Sequence, residues 1–208
     1  MMMRCSHPQR QRAVTLVELL IAIAVVGVLL TLTAPSFRDF ILMQRLKGVS
    51  AQLITDLQFA RSEAVARGKL LRLHFMADDA VTCYTLYTIA GTAAETAGTN
   101  AQRCQCTLGA SSACSVDTGM QEVRTVQVPR SQSVTITIPV GWPVAFAFDP
   151  VTGGLFSIPL DNPSAPMNQV RVFSEIDGAR RLQTVVNRSG RPTVCAPAGS
   201  TMPEGPCP

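Results

Sequence analysis

Residues 14–37 read VTLVELLIAIAVVGVLLTLTAPSF, 24 positions with a single charge, Glu18. About 20 apolar residues cross a bilayer core as a helix, so this run predicts a transmembrane helix half. It is longer than the apolar part of a cleaved secretory signal, and more helix follows it instead of a linker. Leu42, Leu46, Val49, Leu53, Leu57, Ala60 and Ala64 recur at steps of three and four. That spacing predicts one apolar stripe, with Gln44, Arg45, Lys47, Gln52, Asp56, Arg61 and Arg67 turned elsewhere. Glu63 and Arg67 are spaced for an i,i+4 pair, and Gly68 is placed as a C-terminal cap. One helix is therefore expected from Val14 to Arg67, apolar all round over 14–37 and amphipathic over 38–68. Pro35 removes one backbone hydrogen bond, so a kink or local melting is expected there.

After Gly68 the period falls from 3.6 to 2. Leu71, Leu73 and Phe75 alternate with Arg72 and His74, and residues 81–89 alternate likewise. Further strand-like runs lie at 123–128, 133–140, 144–148, 155–158, 170–176 and 181–186. Asp177-Gly178 and Gly153-Gly154 mark turns. Residues 69–208 thus read as an antiparallel β domain of roughly seven or eight short strands. Residues 90–120, rich in Ala, Gly, Thr and Ser, read as a long loop, and 196–208 as a Pro-rich tail. The fold class is α+β: a long N-terminal helix packed on an antiparallel β-sandwich-like head.

The net charge of +4 is unevenly placed. Arg4, Arg10 and Arg12 precede residue 13, leaving 18 − 3 = 15 basic against 14 acidic side chains in the rest. Bulk charge therefore gives no case for a general nucleic-acid binder, and only a local patch could supply one. With only two histidines, His7 and His74, a His-rich metal site or a His-based triad is almost ruled out. No nucleophile elbow, phosphate loop or metalloprotease helix occurs. No enzyme activity and no cofactor are expected. His74 reads as a surface or sandwich-edge residue, and Asp78-Asp79 as a turn.

Glu18 is the odd residue of the apolar run. A carboxylate in a bilayer costs about 2.5–3.5 kcal/mol. Either it lies near enough to the interface to stay wet, or it pairs with an α-amine freed by a nearby cut. Ala13-Val14-Thr15-Leu16-Val17-Glu18, after a short basic leader, resembles the class III (type IV prepilin) processing site. Ala stands where Gly is commoner, and Val where Phe is usual. The resemblance implies that prepilin peptidase removes residues 1–13 by cutting after Ala13. Val14 would become a methylated N-terminus, and Glu18 would pair with the amine of a neighbouring subunit. Pro35 falls where pilins carry a helix-disrupting proline. Residues 56–68, DLQFARSEAVARG, resemble the helix end of FimT/GspH-type minor pseudopilins. The implied setting is a single-pass bacterial inner-membrane protein with a periplasmic head, assembled with other pilin or pseudopilin subunits.

Cys5 lies in the leader, and Cys83, Cys104, Cys106, Cys114, Cys195 and Cys207 remain. An even set in an exported domain predicts disulfides, with 15 pairings open. A Cys195–Cys207 staple closing the tail is expected, with two bridges among the other four. Cys104-x-Cys106 lacks zinc-knuckle spacing, and no metal is expected.

Arg171, Arg180, Arg181, Arg188 and Arg191 face only Glu175 and Asp177. Residues 187–195, NRSGRPTVC, resemble the end of FimT-like proteins, where a Gly-Arg-x-Arg motif before a cysteine is linked to DNA binding. Gly190 and Arg191 match, and Thr193 stands at the second Arg position. The resemblance implies DNA binding through Gly190 and Arg191, with Arg188 as a spatial substitute for the second Arg; the local positive excess adds Arg180 and Arg181 to the candidate patch, against which a solvated basic hairpin is the plain reading. Three roles follow: a minor pilin supporting type IV pilus assembly, a DNA-capturing subunit of that pilus, or a GspH-type pseudopilin of type II secretion.

Overall fold

The computed structural model describes residues 15–89, 103–114, 119–158 and 167–207, without the side chains of 32–36. The helix α1 spans Leu16–Arg67 without a break, so the local melting expected at Pro35 is not seen. Two compact units, Met1–Ile41 and Leu42–Pro208, divide the chain.

In the second unit, Leu46, Leu53, Leu57, Ala60 and Ala64 are fully buried, with Ser50 and Asp56 beside them. The stripe thus steps through 46, 50, 53, 57, 60 and 64, with Ser50 in the place expected for the only partly buried Val49. Each buried leucine contributes about 1.5–3 kcal/mol. The helix ends in a Schellman cap. The Gly68 N–H bonds the Val65 carbonyl at 3.3 Å, the Lys69 N–H bonds the Ala64 carbonyl at 3.2 Å, and Gly68 has φ +61°.

Nine strands follow among the described residues, where seven or eight were expected: β1 Leu71–Ala77, β2 Val81–Ile89, β3 Met120–Pro129, β4 Thr135–Thr137, β5 Ala145–Phe148, β6 Leu155–Ser157, β7 Gln169–Glu175, β8 Arg181–Asn187 and β9 Pro192–Cys195. β9 was missed because it opens on Pro192, which suits only an edge strand. One sheet has the order β3-β2-β1-β5-β6, the other β4-β7-β8-β9, and every pairing is antiparallel. The Ile136 N–H bonds Thr82 Oγ1 at 3.0 Å and links β4 to β2. Helix stripe and both sheets share one core, with Leu71, Leu73, Phe75, Phe146, Phe148, Val172 and Leu182 among its members.

The far face of the five-stranded sheet is not open. Residues 103–114, expected as loop, form a knob around the 3-10 turn Cys106–Leu108. Tyr87, Cys104, Ala113 and Met120 make a second small core beneath it. His74, expected at the surface, is therefore buried, with Nδ1 at 2.9 Å from the Cys104 carbonyl oxygen.

Candidate functional site

Ala13 and Val14 lie outside the described residues. Thr15 caps α1: its carbonyl accepts the Leu19 N–H at 3.1 Å and its Oγ1 accepts the Glu18 N–H at 3.2 Å. Glu18 therefore sits at the third helical position, where the helix dipole favours a negative charge. The Thr-x-x-Glu spacing of a capping box is the sequence signal for this helix start. Large apolar side chains from Leu16 to Leu30 are 53–73% exposed. Among the described residues no helix is long and apolar enough to cross a membrane. The described side chains of the apolar run stop at Thr31 and resume at Phe37, so they cover only part of its 24 positions.

The helix-end segment 56–68 acts as an anchor. Asp56, expected on the polar side, is buried because β2 and β3 bring polar partners to it. The Tyr84 hydroxyl donates to Asp56 Oδ2 at 2.6 Å, and Arg124 Nη1 lies 3.0 Å from Oδ1. Burial, then the carboxylate bond, pushes the Tyr84 phenol above its ordinary range. One turn on, Arg61 Nε donates to the Gly153 carbonyl at 3.2 Å.

Gly190 stands against that same turn with φ +76°. It belongs to the β8–β9 turn, where Asn187 Oδ1 accepts the Arg191 N–H at 3.0 Å and the Ser189 hydroxyl at 2.8 Å. Arg188 and Arg191 are exposed there. Beside this contact a groove of about 730 Å³ runs between turn and helix, lined by Arg61, Val65, Ala66, Arg191, Pro192 and Thr193.

Arg180 and Arg181 lie at the opposite end of β8. Seven residues of strand, at about 3.3 Å each, put the two ends roughly 20 Å apart. Arg180 Nη2 is 2.7 Å from Asp177 Oδ2. Arg181 stacks over Phe173 at 5.4 Å and donates to the Ala198 carbonyl at 3.0 Å. The four arginines expected as one patch thus form two separate groups.

Three disulfides close the head: Cys83–Cys106, Cys104–Cys114 and Cys195–Cys207. The last is the expected staple. The first two pin the knob to β2 and close it on itself. Among the described residues no group of three His, Cys, Asp or Glu could hold a metal ion.

A family model described as a prokaryotic N-terminal methylation motif matches residues 8–34. Another, described as type II transport protein GspH, matches residues 50–190, from the helix stripe to the β8–β9 turn. No curated protein and no solved structure matches the chain.

Proposed function

The chain belongs to the family described as type II transport protein GspH, and we propose that within it this subunit is a minor pilin built into a type IV pilus. Families of this kind consist of structural pilin and pseudopilin subunits, not enzymes. In this reading prepilin peptidase cuts after Ala13, residues 14–37 hold the chain in the inner membrane, and the head of 69–208 lies in the periplasm.

One observation carries it: the helix from Leu16 to Leu30 turns large apolar side chains outward on every side. Such a helix needs lipid or other apolar helices around it. A bilayer supplies the first before assembly, and the apolar helices of other subunits supply the second in a filament. Glu18, one turn into that helix, is then a carboxylate waiting for the methylated amine of a neighbour. Glu18→Ala should leave membrane insertion intact, since it removes a charge, and should deplete the protein from sheared filaments. Normal levels of the variant in filaments would overturn the pairing role.

The family's description favours a second reading, a pseudopilin of type II secretion. A deletion strain separates the two: loss of pili with normal protein export supports the first reading, and the reverse supports the second. DNA capture is a further role of the pilus reading. It is supported by the two exposed arginines of the β8–β9 turn, Arg188 and Arg191.

A further inference from the structure

The outward face of the four-stranded sheet holds donors without acceptors. Leu182, Thr184 and Val186 of β8 turn into the core, so Arg181, Gln183 and Val185 turn outward. Register places Phe173 opposite Gln183 and Arg171 opposite Val185. Arg171 lies 5.4 Å over the ring of Trp142, and Arg181 lies 5.4 Å over Phe173. The Nε atoms of both arginines are buried and have no hydrogen-bond partner. Between them Gln183 is 3% exposed, and its Nε2 is also without a partner. A buried donor left unpaired costs about 1–3 kcal/mol, so three on one face call for an acceptor. Among the described residues no carboxylate lies within ion-pair distance of either arginine; Glu175, on the same face, accepts from the Thr137 hydroxyl at 3.0 Å.

We propose that this face receives an acidic, extended segment of a neighbouring subunit, with carboxylates on Arg171 and Arg181 and an oxygen near Gln183. The inference rests on the reading that the chain packs among other subunits. A guanidinium stacked on a ring is held in place; Arg181 spends Nη2 on the Ala198 carbonyl and keeps Nε unpaired, as does Arg171, so each retains a donor for a carboxylate. Arg171 and Arg181 lie four strand positions apart in register, roughly 13 Å, the spacing of i and i+4 on an extended partner. Both rings already carry a guanidinium on one face, which competes there with the stacking of nucleic-acid bases.

Trp142 is the sole tryptophan and reports on Arg171 directly. The full processed chain in detergent is titrated with fluorescein-labelled hexaglutamate, read by anisotropy and by Trp142 emission. Saturable binding is expected, weakened about tenfold or more by Arg171→Gln and by Arg181→Gln, and unchanged by Arg188→Gln. Gln183→Leu should also weaken binding while leaving thermal stability equal or higher, because it removes an unpaired buried amide. A packing role alone would lower stability instead. The proposal is overturned by absence of saturable binding, by equal binding to the arginine variants, or by displacement of the peptide at lower concentrations of inorganic phosphate or oligothymidylate than of unlabelled hexaglutamate. Peptide binding is read on the isolated chain, so its failure is a separate result from failure of filament incorporation.

Discussion

Gly190 packs so closely on Gly153 that a Cβ at position 190 would stand 2.0 Å from the Gly153 carbonyl oxygen and 3.2 Å from Arg61 Cδ. The same carbonyl accepts the bond from Arg61 Nε. Helix, β5–β6 turn and β8–β9 turn therefore meet at one point, and Gly190 is required there for two reasons: its φ of +76° and the lack of room. The glycine of the Gly-Arg pair has a packing role that is independent of any ligand.

Gly190→Ala should accordingly destabilise the head by about 2–4 kcal/mol, combining left-handed strain with overpacking. Arg191→Gln, at an exposed neighbour, should change stability by less than about 0.5 kcal/mol. Thermal unfolding followed by circular dichroism tests the pair; equal melting temperatures for wild type and Gly190→Ala would contradict the packing role.

The Asp56–Tyr84 bond joins helix to sheet inside the core. Tyr84→Phe should cost about 1.5–3 kcal/mol, the range for a hydrogen bond to a charged group. Asp56→Ala should cost at least as much, since it leaves the buried Tyr84 hydroxyl without its acceptor. The double variant should be less destabilised than the sum by about 1–2 kcal/mol, because both changes remove one interaction. Denaturant unfolding of the four proteins checks this, and strict additivity would refute direct coupling.

His74 makes the knob sensitive to acid. Burial lowers its pKa below the ordinary 6.5, the bond to the Cys104 carbonyl opposes that shift, and Arg103 adds to it. The folded state therefore binds the proton less readily than the unfolded chain. Stability should be complete above about pH 6.5 and decline as pH falls through and below that value. Melting temperatures from pH 8 to 5 should show this decline, and His74→Asn should flatten it. A variant with the wild-type pH profile would assign the decline to other groups.

The helix stripe, most strands, the turn at Asp177-Gly178 and the Cys195–Cys207 staple were legible because each depends on neighbours close in sequence. Asp56 and His74 were misread for a common reason. Periodicity says which side of an element a residue faces, and not what covers that side. The partners of Asp56 come from β2 and β3, and His74 is covered by a knob whose own sequence has no period. The scatter of the arginines was hidden likewise: 180, 181, 188 and 191 are close in number, but a seven-residue strand separates the two pairs.

That separation shapes the expectation for DNA. Arg180 is engaged by Asp177 and Arg181 by Phe173 and the Ala198 carbonyl, whereas Arg188 and Arg191 are exposed on one turn. If the pilus reading includes DNA capture, the full chain should bind duplex DNA weakly and without sequence preference. Affinity should fall steeply with salt, because each phosphate contact releases a counterion. Arg191→Gln and Arg188→Gln should each lower the affinity and reduce the log–log salt slope by about one contact. Arg180→Gln should leave both unchanged, since its guanidinium is held by Asp177. Thr193→Arg adds a cation at an exposed position on the strand that follows Arg191, and should strengthen binding. Fluorescence anisotropy at low and moderate salt measures all four. A slope reduced equally by Arg180→Gln and Arg191→Gln would place the contact elsewhere than the β8–β9 turn, and no binding at low salt by wild type or Thr193→Arg would remove DNA from the function of this subunit.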